Sequence, residues 1–151
     1  MINCDLYNPN ADRKVDATSL VEFKDGSVDL IEHHHMLEHL SFKEFDQAVA
    51  EWHRVLKKGG YLVFTCPDIA RICIHYTMLR WRGLISDQTE KLDYAIKMMV
   101  GSQEHNGMFH KNHFDPARIR RKLPACGFLI EFIAPYPRRP TPSMLVVARK
   151  I

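Results

Sequence analysis

Between Asp25 and Cys66 the chain spells out a single strand–helix–strand unit, and that unit restricts the available folds more than any other part of the sequence. Asp25-Gly26 is a turn signal ahead of Val28-Asp-Leu-Ile31, a short strand. Ser41 and Glu44 have the S-x-x-E spacing of a capping box, in which each side chain satisfies an orphan backbone N–H at a helix start. Phe45, Val49, Trp52 and Leu56 then recur at three-to-four spacing and give one apolar face. Lys57 and Lys58 suit the negative end of the helix dipole, and Gly59-Gly60 supplies a left-handed stop. Tyr61-Leu-Val-Phe-Thr65 is almost wholly apolar, as in a strand buried on both faces of a parallel sheet. Two parallel strands joined by a helix make a crossover, for which right-handedness is the rule.

The remainder reads in the same style. Helices are expected over Ile69–Arg82 and Asp87–Val100, separated by Gly83. Asp115 as cap and Pro116 at the first helical position open another helix, which ends at Gly127 with Pro124 distorting its last turn. Phe128–Ala134 and Met144–Ala148 read as strands. Pro135, Pro137, Pro140 and Pro142 make the connection between them extended and stiff, which favours an antiparallel final pair. The expected fold class is α/β: a Rossmann-like, mostly parallel sheet with helices on both faces and an antiparallel C-terminal hairpin. At 151 residues this is one domain, residues 1–151, with a helical insertion over about 69–113.

Composition excludes several classes. Hydrophobic residues at 46% and charged residues at 26% are globular values and argue against disorder. Four widely spaced cysteines contain no C-x-x-C pair, so neither a disulfide framework nor a zinc knuckle is indicated. No signal peptide and no membrane-length apolar run is visible, which makes a cytoplasmic location the expectation. Residues 1–75 hold 8 Lys/Arg against 12 Asp/Glu, and residues 76–151 hold 13 against 6. The basic charges are dispersed, so nucleic acid is not the expected partner. Gly26 is the only glycine before position 59, and a glycine-rich ligand loop is therefore absent from this stretch.

Histidines carry most of the candidate chemistry. His33-His34-His35 follow a strand, and ligands of open α/β sheets bind outside the carboxyl ends of strands. His35 and His39 fit H-x-x-E-H around Glu38, a zinc-hydrolase spacing if presented on a helix. The capping box at Ser41 starts the helix after His39, so no metal site is expected. His105, His110 and His113 fall in a glycine-bearing loop, where His110 is a candidate for facing substrate. Asp68 and Thr65, at the end of a strand, either line an acceptor site or, for Asp68, cap the next helix. Trp81 between two arginines reads either as core or as a stacking platform.

Four blocks together resemble the type 11 branch of the class I S-adenosylmethionine-dependent methyltransferases: Asp25–Ile31, His35-Met-Leu-Glu-His-Leu40, Trp52–Gly60 and Tyr61–Asp68. The His110-Lys111 segment, Phe114-Asp115, Ala125-Cys-Gly-Phe128 and the closing strand pair fit the same family. The resemblance implies that Ile2–Leu6 is the family's second strand, with Asp5 holding the ribose hydroxyls. It implies that Asp16 and Ala17 form the turn receiving the adenine amino group, with His33 and His34 lining the cofactor. His35, His110 and Asp68 become the candidate catalytic residues. The family's first strand and its glycine-rich turn have no counterpart in the sequence.

The resemblance thus implies S-adenosylmethionine as cofactor, bound weakly or not at all without that turn, and methyl transfer to a small-molecule acceptor. The alternative is a non-catalytic module of the same fold. A first strand would normally lie beside Val28–Ile31, so either a rearranged N-terminal segment fills that place or the exposed sheet edge pairs in a homo-oligomer.

Overall fold

The strand–helix–strand unit forms as read, for the local reasons its sequence supplies. In a computed structural model describing residues 1–83, 89–104, 106–136 and 142–151, β1 spans Val28–His34, α1 Phe42–Val55 and β2 Leu56–Pro67. Ser41 Oγ accepts from Glu44 N, and Glu44 Oε2 accepts from Ser41 N at 2.7 Å, which closes the capping box. That bond to Ser41 also holds the Glu44 carboxyl below its ordinary range. The helix stops at Val55, before the glycines: Leu56 already has extended backbone. Gly59, at φ +80°, turns the chain within the start of β2, where the register with β1 jumps from Val28–Leu56 to Leu30–Tyr61.

After β2 come α2 (Ile69–Gly83), α3 (Thr89–Val100), α4 (Pro116–Ala125), β3 (Phe128–Tyr136) and β4 (Ser143–Lys150). Asp115 caps α4 by accepting from Arg118 N at 2.6 Å, and Pro116 occupies the first turn. The sheet order is β1-β2-β4-β3. β1 and β2 are parallel, while β4 runs antiparallel to both β2 and β3. The α/β class and the C-terminal antiparallel pair stand, but only one of the three pairings is parallel. The described sheet is therefore mixed where a mostly parallel one was expected. Of the proline-rich connection, residues 137–141 lie outside the described residues, as does the expected start of α3 at Asp87.

The core lies on one face of the sheet. Phe45, Val49 and Trp52 of α1, with Ile119 and Leu123 of α4, pack on Leu62, Phe64, Val146 and Ala148. Burying each large apolar side chain contributes about 1.5–3 kcal/mol. The opposite face leaves Leu30, Tyr61, Leu129 and Phe132 more than 40% exposed. Helix cover on both faces, as expected from sequence, is thus incomplete among the described residues. α2 and α3 pack mainly on each other, with Ile72, Leu79 and Ala95 buried.

Ile2–Leu6 does not form the strand that the resemblance implied. Its one bridge joins Cys4 to Arg13, and β1 pairs only with β2 among the described residues. The N-terminal segment therefore does not extend the sheet. It is pinned to α1 instead: Arg54 donates to Leu20 O, Phe23 O and Asp25 Oδ1 and grips Glu51 with Nε and Nη2. Trp52 Nε1 donates to Ala17 O at 3.1 Å, and Leu20 N donates to Glu51.

Candidate active site at the strand ends

The parallel strands β1 and β2 end side by side, and the backbone beyond them turns sharply. His35 N donates to Thr65 O at 2.8 Å, and His35 itself lies at φ +51°. That left-handed conformation is uncommon for a residue with a Cβ and clusters at functional sites. A 3-10 turn, Leu37–His39, follows and buries Glu38 at 2% exposure. The loop before α4 closes over this turn, with Lys111 N and Asn112 N both donating to Glu38 O.

Side chains converge there. His35 Nδ1 lies 3.0 Å from Glu38 Oε1, and His35 Nε2 lies 3.4 Å from Ser143 Oγ. His34 bridges Thr65 Oγ1 and Glu32 Oε1, each at 3.0 Å. His39 and His110 meet edge to face with centroids 5.1 Å apart. Each uses Nδ1 to reach a backbone carbonyl, Phe109 O for His39 and Met98 O for His110. A carbonyl only accepts, so Nδ1 carries a proton in both rings, and Nε2 is the ring atom left to face the site. Burial, the largest influence, lowers the pKa of His110. Glu38 Oε2 and Asn112 Nδ2 are shut off from solvent and have no hydrogen-bond partner among the described residues.

The structure thus gathers His35, His39 and His110 around Glu38, while His34 is held by Thr65 and Glu32. His33 goes elsewhere: its ring points to the core face, stacked on Phe64 at 5.1 Å and tilted against Trp52 at 4.9 Å. Both its nitrogens are buried without partners among the described residues, and desolvation lowers its pKa to about 3. Asp68 is buried and caps α2, accepting from Arg71 N at 3.3 Å. It also borders a separate cleft of about 210 Å³ lined by Arg71, Arg120 and Met144. His105 lies outside the described residues. The H-x-x-E-H spacing does not place His35 and His39 on one helical face, because His35 precedes the 3-10 turn and bonds Glu38 instead.

Asp5 and Asp16 sit on exposed N-terminal turns. Asp5 Oδ1 accepts from Tyr7 N and Asn8 N, and Asp16 Oδ1 accepts from Thr18 N and its hydroxyl. In each case one carboxylate oxygen fixes the turn, and the exposed carboxylate is an acceptor for hydroxyl or amino hydrogens. Ala17 O is engaged by Trp52, which also packs on His33, so the 16–20 turn and the histidine stack share one anchor. Sequence spacing singled out Glu38 and His39, though for another geometry. No local signal tied either to His110, Asn112 or Ser143.

Comparison with known proteins shows what the chain is similar to. Residues 3–64 match the family described as a methyltransferase domain. No curated protein matches the chain. Among solved structures, an S-adenosylmethionine-dependent methyltransferase from Methanosarcina mazei superposes with a TM-score of 0.63 at 21% identity, over 96% of this chain and 70% of that one. A 1,6-didemethyltoxoflavin N1-methyltransferase from Burkholderia thailandensis, solved with its acceptor and S-adenosylhomocysteine, gives a TM-score of 0.63 at 15% identity, over 97% of this chain and 59% of that one. The [4+2]-cyclase SpnF gives 0.55 at 17% identity, over 90% and 54%. The chain thus spans between about half and 70% of the length of these structures. Residues 3–64 are thus similar to the methyltransferase-domain family, and the chain as a whole shares the fold of the S-adenosylmethionine-dependent methyltransferases.

Proposed function

We propose that the chain serves methyl transfer from S-adenosylmethionine to a small-molecule acceptor, with its chemistry at the ends of β1 and β2. The observation that carries this reading is the His35–Glu38 pair, in which a buried carboxylate 3.0 Å from Nδ1 fixes the imidazole and leaves Nε2 as a proton acceptor. Such an oriented base suits an acceptor oxygen or nitrogen that must lose a proton as it is methylated. The cofactor supplies an activated methyl group on a sulfonium. Asp5 and Asp16 would hold its ribose and adenine, and the sheet ends would align acceptor and donor, since in-line positioning provides most of the rate. His34, held by Thr65 and Glu32, walls the same end of the sheet. The relative solved with S-adenosylhomocysteine supports the cofactor class by its fold.

Titration calorimetry with S-adenosylhomocysteine tests the reading. Micromolar binding is expected, and no heat at millimolar ligand would sink it. A second reading, a non-catalytic binding module that pairs with a copy of itself, is favoured by the outer edge of β1, which has no strand partner among the described residues. Fold alone does not decide between them, as the same architecture also carries a [4+2]-cyclase.

A further inference from the structure

We infer that Glu38, His39 and His110 form a binding site for one divalent transition-metal ion, with Zn²⁺ the fitting probe. The three residues offer ligand atoms that all lie within 4.8 Å of one another. Two imidazoles and one carboxylate are the donor set of open-position zinc and iron sites, whereas calcium and magnesium prefer all-oxygen shells.

Two further observations point to a ligand. Glu38 is buried, its Oε1 is engaged by His35, and its Oε2 has no partner among the described residues. A buried carboxylate oxygen without a donor is costly, and a cation satisfies it directly. The two histidines are also prepared as ligands. Their Nδ1 atoms donate to Phe109 O and Met98 O, which fixes each tautomer and leaves Nε2 free to coordinate. Metal-ligating histidines are usually held by such a second hydrogen bond to a carbonyl or carboxylate. Backbone bonds from Lys111 and Asn112 to Glu38 O hold the loop of His110 against the 3-10 turn, so the three donors come from two segments already joined. Three protein ligands leave a tetrahedral ion one position for an outside donor, such as water or an acceptor hydroxyl. Metal binding is read directly and does not depend on methyl transfer.

The test uses the full chain without an affinity tag, stripped with a chelator and titrated with Zn²⁺ against a chromophoric chelator. One equivalent is expected to bind. His39→Ala and His110→Ala should each weaken binding by about 10-fold or more, since even supporting residues around metals have effects of that size. His75→Ala, an exposed histidine on α2, should leave it unchanged. Co²⁺ loaded in place of Zn²⁺ should give the visible d–d spectrum of a low-coordinate site in the parent and lose it in both variants. Because both histidines are partly exposed, these variants are expected to keep the native circular dichroism, and Glu38→Gln serves as a third probe where it folds. Absence of binding, or binding that persists equally in His39→Ala and His110→Ala, overturns the assignment.

Discussion

His33 shows how one residue can tie stability to pH without touching the chemistry. Its folded-state pKa of about 3 lies below the unfolded value of 6.5, so between those values the unfolded chain binds a proton that the folded chain does not. Stability from this group is fully present above about pH 6.5 and falls as the pH drops toward 3. Between pH 7.5 and pH 5 the loss should be about 2 kcal/mol. His33→Phe keeps a ring between Trp52 and Phe64 but has nothing to protonate. Urea unfolding at both pH values should show that the variant lacks this share of the acid sensitivity and is no less stable at pH 7.5. Parallel losses in parent and variant would show that His33 is not buried neutral. The sequence offered the histidine triplet but not this division of labour. Alternation along β1 sends His33 to the core face and His34 to the other, while the left-handed turn at His35 aims the third ring at Glu38.

At the scale of elements, local signals were read with success where local physics decides. The capping box at Ser41 and Glu44 was visible because its partners are three residues apart. Ser41→Ala should cost about 1 kcal/mol in thermal or urea unfolding, the usual effect of losing a helix N-cap. The loop carrying His110 is fixed less visibly. Gly101, at φ +85°, forms a bridge with Phe109, and an added Cβ would lie 2.0 Å from Met108 O and 3.0 Å from His110 N. Gly101→Ala should therefore cost clearly more than the ~1–2 kcal/mol of a left-handed residue alone and should displace His110. Gly83→Ala, where a Cβ meets nothing within 4 Å among the described residues, should be neutral or slightly stabilising. Equal melting temperatures for the two variants would contradict the packing around Gly101. α1 ends at Val55, three residues before the Lys58 end that its lysines and Gly59-Gly60 suggest, because Gly59-Gly60 serves the irregular start of β2, a demand set by pairing with β1.

For the whole molecule, the sheet is the decisive object. β1 lies at one edge of the described sheet, and Leu30 on it is 42% exposed. An apolar edge of this kind invites pairing with another strand, and natural edges are commonly guarded by lysine. If the chain associates through β1, sedimentation at tens of micromolar should show a dimer that Leu30→Lys converts to monomer. A parent that stays monomeric at those concentrations, or a variant dimer of unchanged strength, counts against edge pairing. Among the described residues, no helix is long and apolar enough to cross a membrane.

The sequence by itself determined the β1–α1–β2 unit, the caps of α1 and α4, and the closing antiparallel pair. Each rests on periodicity, capping or turn chemistry between residues close in the chain. It also carried enough of the blocks from Asp25 to Asp68 to reveal the methyltransferase resemblance. Tertiary structure alone decided the rest. Ile2–Leu6 stayed out of the sheet because Arg54 and Trp52 pin the segment after it to α1. Glu38 and His39 met His110 because backbone bonds from Lys111 and Asn112 close one loop over a 3-10 turn. Contacts between segments so far apart leave no local pattern, since their spacing is set by how the chain packs rather than by its order.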